Sequence, residues 1–136
     1  MTRAKFLVAT LVLLFSLPSF AGSDKGKPKL LAVLFYADWC GSCKALDPKI
    51  VKARGKADLD NQDVLFVRLD LTDAASRHQS ALLADQLGIG SYYRENAGKT
   101  GFLLLADPKN GKPLKRILKD QSDAEIASLI KGYLKS

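Results

Sequence analysis

The sequence predicts an α/β fold in which parallel and antiparallel strands share one sheet. Three observations lead there. An apolar run at residues 30–36 is followed by a helical pattern and then a second apolar run at 64–69. A further apolar run, 102–106, meets 114–118 across the turn Asp107-Pro108-Lys109-Asn110-Gly111, a hairpin signature. A capped amphipathic helix closes the chain. The resulting order is strand, helix, strand, helix, strand, strand, helix.

The 136 residues suit one domain preceded by a leader. Arg3 and Lys5 precede an apolar stretch, residues 6–17, too short to span a bilayer comfortably. Ser19-Phe20-Ala21 sets small residues where a signal peptidase reads, so residues 1–21 are expected to be a cleaved secretory signal. An uncleaved anchor is the alternative. Residues 22–29 are Gly- and Lys-rich and are expected to be a flexible lead-in to a domain at 30–136.

Within that domain, 30–36 is continuously apolar, as a strand buried on both faces requires. A helix is expected over 40–53, with Leu46, Ile50 and Val51 inward, then a polar connection at 54–62. Residues 64–69 read as a second buried strand, parallel to the first through a right-handed crossover. Residues 74–87 read as a helix with Ala74, His78, Ala81, Leu82 and Leu87 as its inward stripe. Residues 88–101 hold four glycines and Tyr92-Tyr93-Arg94 and read as a long loop, whose tyrosines either bind a partner or cap the core. Ser122-Asp123-Ala124-Glu125 has the spacing of a capping box, and Ile126, Leu129, Ile130 and Tyr133 follow at helical spacing.

Removing Arg3 and Lys5 with the leader takes the formal charge from +7 to +5. The lysines are scattered and not interleaved with aromatics, so nucleic acid is not an expected partner.

The chemistry lies in Cys40 and Cys43, the only two cysteines. They fall where the first strand turns into a helix. A thiol just before a helix faces unpaired backbone N–H groups and the positive end of the helix dipole, which favour a thiolate. A second thiol one turn inward is buried and less nucleophilic. Cys40 then attacks a disulfide, and Cys43 resolves the mixed disulfide. Two rival readings remain. A static staple gains little from so short a loop. A zinc site needs about four ligands, and only His78 is left as a further soft donor.

Trp39-Cys40-Gly41-Ser42-Cys43-Lys44, with Pro48 five residues after the second cysteine, resembles the active site of the thioredoxin superfamily. The resemblance runs from about residue 30 to the C-terminus. It implies a three-layer sandwich, a central mixed sheet with helices on both faces, trimmed at its N-terminus. It also implies a thiol–disulfide oxidoreductase that uses Cys40 and Cys43 and needs no cofactor or metal. Trp39, Gly41, Ser42, Thr100 and Gly101 are the implied substrate-binding residues. Three positions depart from the family. Leu34 stands where the family has a buried aspartate, Thr100 or Gly101 stands where it has a cis-proline, and Ser42 replaces the proline between the cysteines. Arg68 falls near the family's partly buried lysine, or is an ordinary snorkelling side chain.

Export and the motif together lead to the expectation of a monomer in the bacterial periplasm. It would act on protein thiols and disulfides, with reduction favoured, and be supplied by a membrane-linked electron donor. The alternatives are a copper-binding module of the same fold, using the two cysteines with His78, and a redox-inert interaction domain.

Overall fold

β1 (Leu30–Tyr36) is an internal strand of the sheet whose side chains enter the cores on both faces. The computed structural model describes residues 26–136. The expected leader and the first residues of the lead-in, 22–25, lie outside the described residues. After β1 come α1 (Gly41–Lys56), a 3-10 turn at Leu59–Asn61, β2 (Val64–Asp70), α2 (Ala74–Gln86) and α3 (Gly90–Glu95). The chain ends with β3 (Phe102–Ala106), β4 (Pro113–Ile117) and α4 (Asp123–Lys135). The sheet order is β2-β1-β3-β4; β1 is parallel to β2 and antiparallel to β3, and β4 is antiparallel to β3. This is the thioredoxin-like sandwich that the sequence implies.

The two-residue period of β1 sorts its side chains into two cores. Leu30, Ala32 and Leu34 face α1 and α4, where Leu46, Ile50, Ile126 and Ile130 meet them. Leu31, Val33 and Phe35 face the other layer, with Leu69, Ala84, Ile89 and Tyr93. Each such Leu, Ile or Phe contributes roughly 1.5–3 kcal/mol by leaving water. That is why a run with no polar residue can hold the middle of a sheet.

Several expected boundaries and faces are corrected. Among the described residues β2 is an edge strand, paired only with β1, and not a strand buried on both faces; Leu69 alone of its residues is fully buried. α1 runs past residue 53 to Lys56, its last turn carrying Arg54 and Lys56 at the negative end of the helix. Val51 is exposed, while Leu59 turns into the core from the supposedly polar connection. The inward face of α2 is Ser80 and Ala84, flanked by the half-buried Ala81 and Leu87; Ala74, His78 and Leu82 point to solvent. The stripe was misplaced because alanines and a serine, not leucines, pack closest to the sheet.

The stretch 88–101 is not a long loop, since α3 occupies its first half. Tyr93 is buried there, its hydroxyl donating to the Arg77 carbonyl at 2.9 Å, and Tyr92 meets the Phe35 ring edge-on. β4 is displaced one residue from expectation by a bulge between Leu105 and Ala106, which sets Ala106 opposite Pro113. Gly111 in the preceding turn has φ +68°, and any Cβ there would lie 1.9 Å from the Gly88 carbonyl oxygen. The capping box of α4 forms in full: the Ser122 hydroxyl accepts from the Glu125 amide, and the Glu125 carboxylate accepts from the Ser122 amide.

Candidate redox site

β1 ends at Tyr36, and the four residues after it turn the chain into α1. Cys40 is the N-cap of α1, with φ −86° and ψ 107°, and its Sγ accepts the Cys43 amide N–H at 3.1 Å. A sulfur thus fills the role that a serine or aspartate oxygen usually has at a helix start. Cys40 and Cys43 are joined as a disulfide, with their Cα atoms 5.3 Å apart. Their environments differ. Cys43 is wholly buried, whereas 7% of Cys40 reaches solvent. Cys40 is therefore less open than a fully solvent-facing thiol would be. The asymmetry between the two sulfurs is nonetheless the one expected.

Two backbone segments close around the pair, one at Phe35 and one at Gly101. The Phe35 carbonyl oxygen lies 3.6 Å from Cys43 Sγ and accepts the Gly101 amide at 2.8 Å. Gly101, with φ +86°, is pressed against the cysteine turn. A Cβ placed on it would lie 2.7 Å from Ser42 Cβ and 3.4 Å from Cys40 Sγ. Glycine is thus required there both by backbone angle and by space. Among the described residues every peptide bond is trans. Of the other expected binding residues, Gly41 is exposed on the turn, and Ser42 and Thr100 are half-buried.

Trp39 does not pack into the core. It is 61% exposed, and its indole N–H donates to the Thr72 carbonyl at 3.2 Å. Thr72 Oγ1 also accepts the Asp38 amide at 3.0 Å and donates to the Asp70 carboxylate, so the end of β2 holds the turn that leads to Cys40. The sequence reading missed Thr72. The signal was available: parallel strands line up their C-terminal ends, so the residues just after β2 must flank those just after β1.

Leu34 packs in the α1-side core, 5% exposed, at the position where the family has an aspartate. Charged groups gather a little further out. Arg68 on β2 pairs with Asp47 on α1 and lies 4.3 Å over the Tyr36 ring. Both partners of that ion pair are partly exposed, so it is worth at most about 1 kcal/mol. The Tyr36 hydroxyl donates to Asp38 Oδ1 at 3.0 Å; this bond first, and desolvation second, raise the pKa of the phenol. His78 is exposed on α2, and among the described residues no group of three or more His, Cys, Asp or Glu side chains gathers in a way that could hold a metal ion.

Comparison with known proteins agrees with this picture. The thioredoxin family model matches residues 20–84, a span that contains both cysteines. Protein disulfide-isomerase of Oryctolagus cuniculus is 41% identical over 64 residues, 47% of this chain and 11% of that protein. Curated relatives are thus matched over only about a tenth to a half of their own length. Among solved structures, one described as DsbH oxidoreductase superposes with a TM-score of 0.57 at 21% identity, covering 82% of this chain and 76% of the other. A thiol:disulfide interchange protein of the thioredoxin family from Chlorobium tepidum TLS gives 0.54 at 19% identity, covering 81% and 83%. Fold and site together define a domain with a thioredoxin-like α/β sandwich and a cysteine pair at the start of its first helix. Its Cys40–Cys43 disulfide is consistent with thiol–disulfide redox chemistry.

Proposed function

We propose that this chain is an exported thiol–disulfide oxidoreductase that reduces protein disulfides. The observation that carries the reading is the unequal placement of the two sulfurs: Cys40 caps a helix and reaches solvent, while Cys43 is sealed beneath it. In the reduced chain the Cys40 thiolate attacks one sulfur of a substrate disulfide, and the other substrate sulfur leaves as a thiolate and takes up a proton. Cys43 then loses its proton and attacks Cys40 Sγ. The Cys40–Cys43 bond forms, and the second substrate sulfur is released. Two electrons pass from the chain to the substrate. A dithiol donor must return them before another turnover.

Residues 1–21 act as the secretory signal in this reading, 22–29 as a lead-in, and the bacterial periplasm is the destination. There an unattended cysteine pair drifts to the disulfide, so a membrane-linked donor is the natural source of electrons. Trp39, Gly41 and Ser42 adjoin Cys40 along the chain and Gly101 lies against it; with Thr100 they form, in this reading, the surface that a client protein meets. The test is reduction of insulin disulfides by the purified chain with a dithiol donor. Wild-type activity lost in Cys40→Ser supports the reading, and activity surviving in Cys40→Ser overturns it. Mass spectrometry of the chain after expression with its leader checks export: a mature N-terminus at Gly22 is expected, and an intact Met1 form refutes cleavage.

A further inference from the structure

Gly101 reaches the sulfur pair from the end of a connection, residues 97–101, that links α3 to β3. The residues that flank this connection are both touched by one side chain of the edge strand β4. Arg116 of β4 donates from Nε and Nη2 to the Tyr92 hydroxyl, at 3.2 and 2.7 Å, and from Nη2 to Asn96 Oδ1 at 2.8 Å. Its guanidinium also stacks on the Phe102 ring, 4.0 Å from the centroid. Asn96 is the residue just before the connection, and Phe102 is the residue just after it.

The two ends that Arg116 touches are themselves tied to the site. Asn96 is 7% exposed, its amide donates to the Tyr92 carbonyl at 2.9 Å, and its backbone carbonyl accepts the Lys99 amide at 2.9 Å. Phe102 stacks on Phe35 with centroids 4.5 Å apart. The Phe35 carbonyl receives the Gly101 amide and faces Cys43 Sγ. One planar cation with a fixed fork of donors thus spans both ends of the segment that lies against Cys40. A lysine, a point charge without the fork, cannot bond the hydroxyl and the amide in the same way.

We propose that Arg116 is a positioning residue: by gripping Asn96 and Phe102 together it fixes Thr100 and Gly101 over Cys40 and so controls which disulfides reach the sulfur. This rests on the redox reading above for its consequence, but the grip itself is measurable without any turnover. Amide hydrogen exchange in the oxidised protein is the first readout. In Arg116→Met the Gly101 amide is expected to exchange about tenfold faster, because its local opening becomes easier, while the Ala32 amide in β1, which does not pair with β4, does not change. The second readout separates access from reactivity. Insulin reduction by Arg116→Met is expected to fall by roughly tenfold, the scale of loss from a small misplacement, while alkylation of reduced Cys40 by iodoacetamide stays within about twofold of wild type. Arg116→Lys, which keeps the cation over Phe102, is expected to recover part of the insulin activity.

An unchanged Gly101 amide in a folded Arg116→Met chain overturns the grip. Insulin reduction and alkylation falling in equal proportion overturns the control of access, since that is the signature of a general loss of structure. If Arg116→Met does not fold, Tyr92→Phe removes one acceptor of the fork and is read by the same two measurements. An inactive wild type would sink the oxidoreductase reading, and the exchange comparison would still decide whether Arg116 holds the connection.

Discussion

The Cys43 amide donates its hydrogen to Cys40 Sγ at 3.1 Å, so a helix start spends one of its unpaired N–H groups on sulfur. On reduction that amide and the helix dipole favour a negative charge on Cys40. The Cys40 thiol is therefore expected to ionise below the ~8.5 of a free cysteine. The rate of iodoacetamide alkylation followed against pH measures this directly, and a midpoint at or above the free-thiol value would remove the electrostatic argument.

Gly101→Ala tests the close approach on the other side of the sulfur. The new Cβ would press on Ser42 Cβ, and an alanine at φ +86° is strained wherever it lies. Backbone strain and overpacking together are expected to cost about 3 kcal/mol, seen as a lower urea midpoint of the oxidised protein. Adding Ser42→Gly removes the atom that is struck but not the strain, so the double variant should regain part of the loss. No recovery would mean that backbone angle alone requires the glycine.

Much of this arrangement is legible in the sequence. The alternation of apolar runs with helical patterns gives all four strands and every helix but α3 in order, and the cysteine spacing at a strand-to-helix turn points to the pair that the fold joins. What was not legible depends on neighbours that sequence does not name. β2 reads like a central strand because Val64, Leu65, Phe66, Val67 and Leu69 are all apolar, yet among the described residues only one strand pairs with it and most of its surface stays partly open. The face of α2 was misread because close helix–sheet packing selects Ser80 and Ala84, which carry little hydrophobic signal. Residues 90–95 look like loop, since they begin with glycine and carry two tyrosines; tertiary contact of Tyr93 with the core overrides weak local preference. Thr72, Asn96 and Arg116 are polar residues at ordinary positions, and only the folded chain brings Thr72 against Asp38 and Trp39 and Arg116 onto Asn96 and Phe102.

Trp39 is the only tryptophan and adjoins Cys40, so its fluorescence reports the state of the disulfide. A neighbouring disulfide quenches indole emission, and reduction is expected to raise it. Titration in thiol–disulfide buffers of graded composition then gives the midpoint potential from one signal. Trp39→Phe removes the exposed hydrogen bond to Thr72 and should cost no more than about 1 kcal/mol in stability. Because the ring stands out beside the reactive sulfur, the same variant should slow insulin reduction more than alkylation of Cys40. Equal slowing of both would make Trp39 a structural residue only.

The start of α4 supplies a pH-dependent part of stability that is separate from the sulfur chemistry. Glu125 has its pKa lowered, chiefly by the hydrogen bond from the Ser122 amide, and Asp123 has its own lowered first by the hydrogen bond from Lys56. Both groups are held ionised more strongly in the folded chain than in the unfolded one. Their stabilisation is therefore complete above the ordinary carboxylate range and is lost as pH falls through the lower folded values. Urea midpoints of the oxidised protein should decline as the solution is acidified below about pH 4.5, and Glu125→Gln should flatten part of that decline. Ser122→Ala, which removes the hydroxyl that accepts the Glu125 amide, is expected to cost about 1 kcal/mol at neutral pH. A Glu125→Gln chain with an unaltered acid limb would mean that the capping carboxylate carries no linkage, and that the decline comes from other carboxylates such as Asp73, whose pKa is lowered by the Ser76 amide.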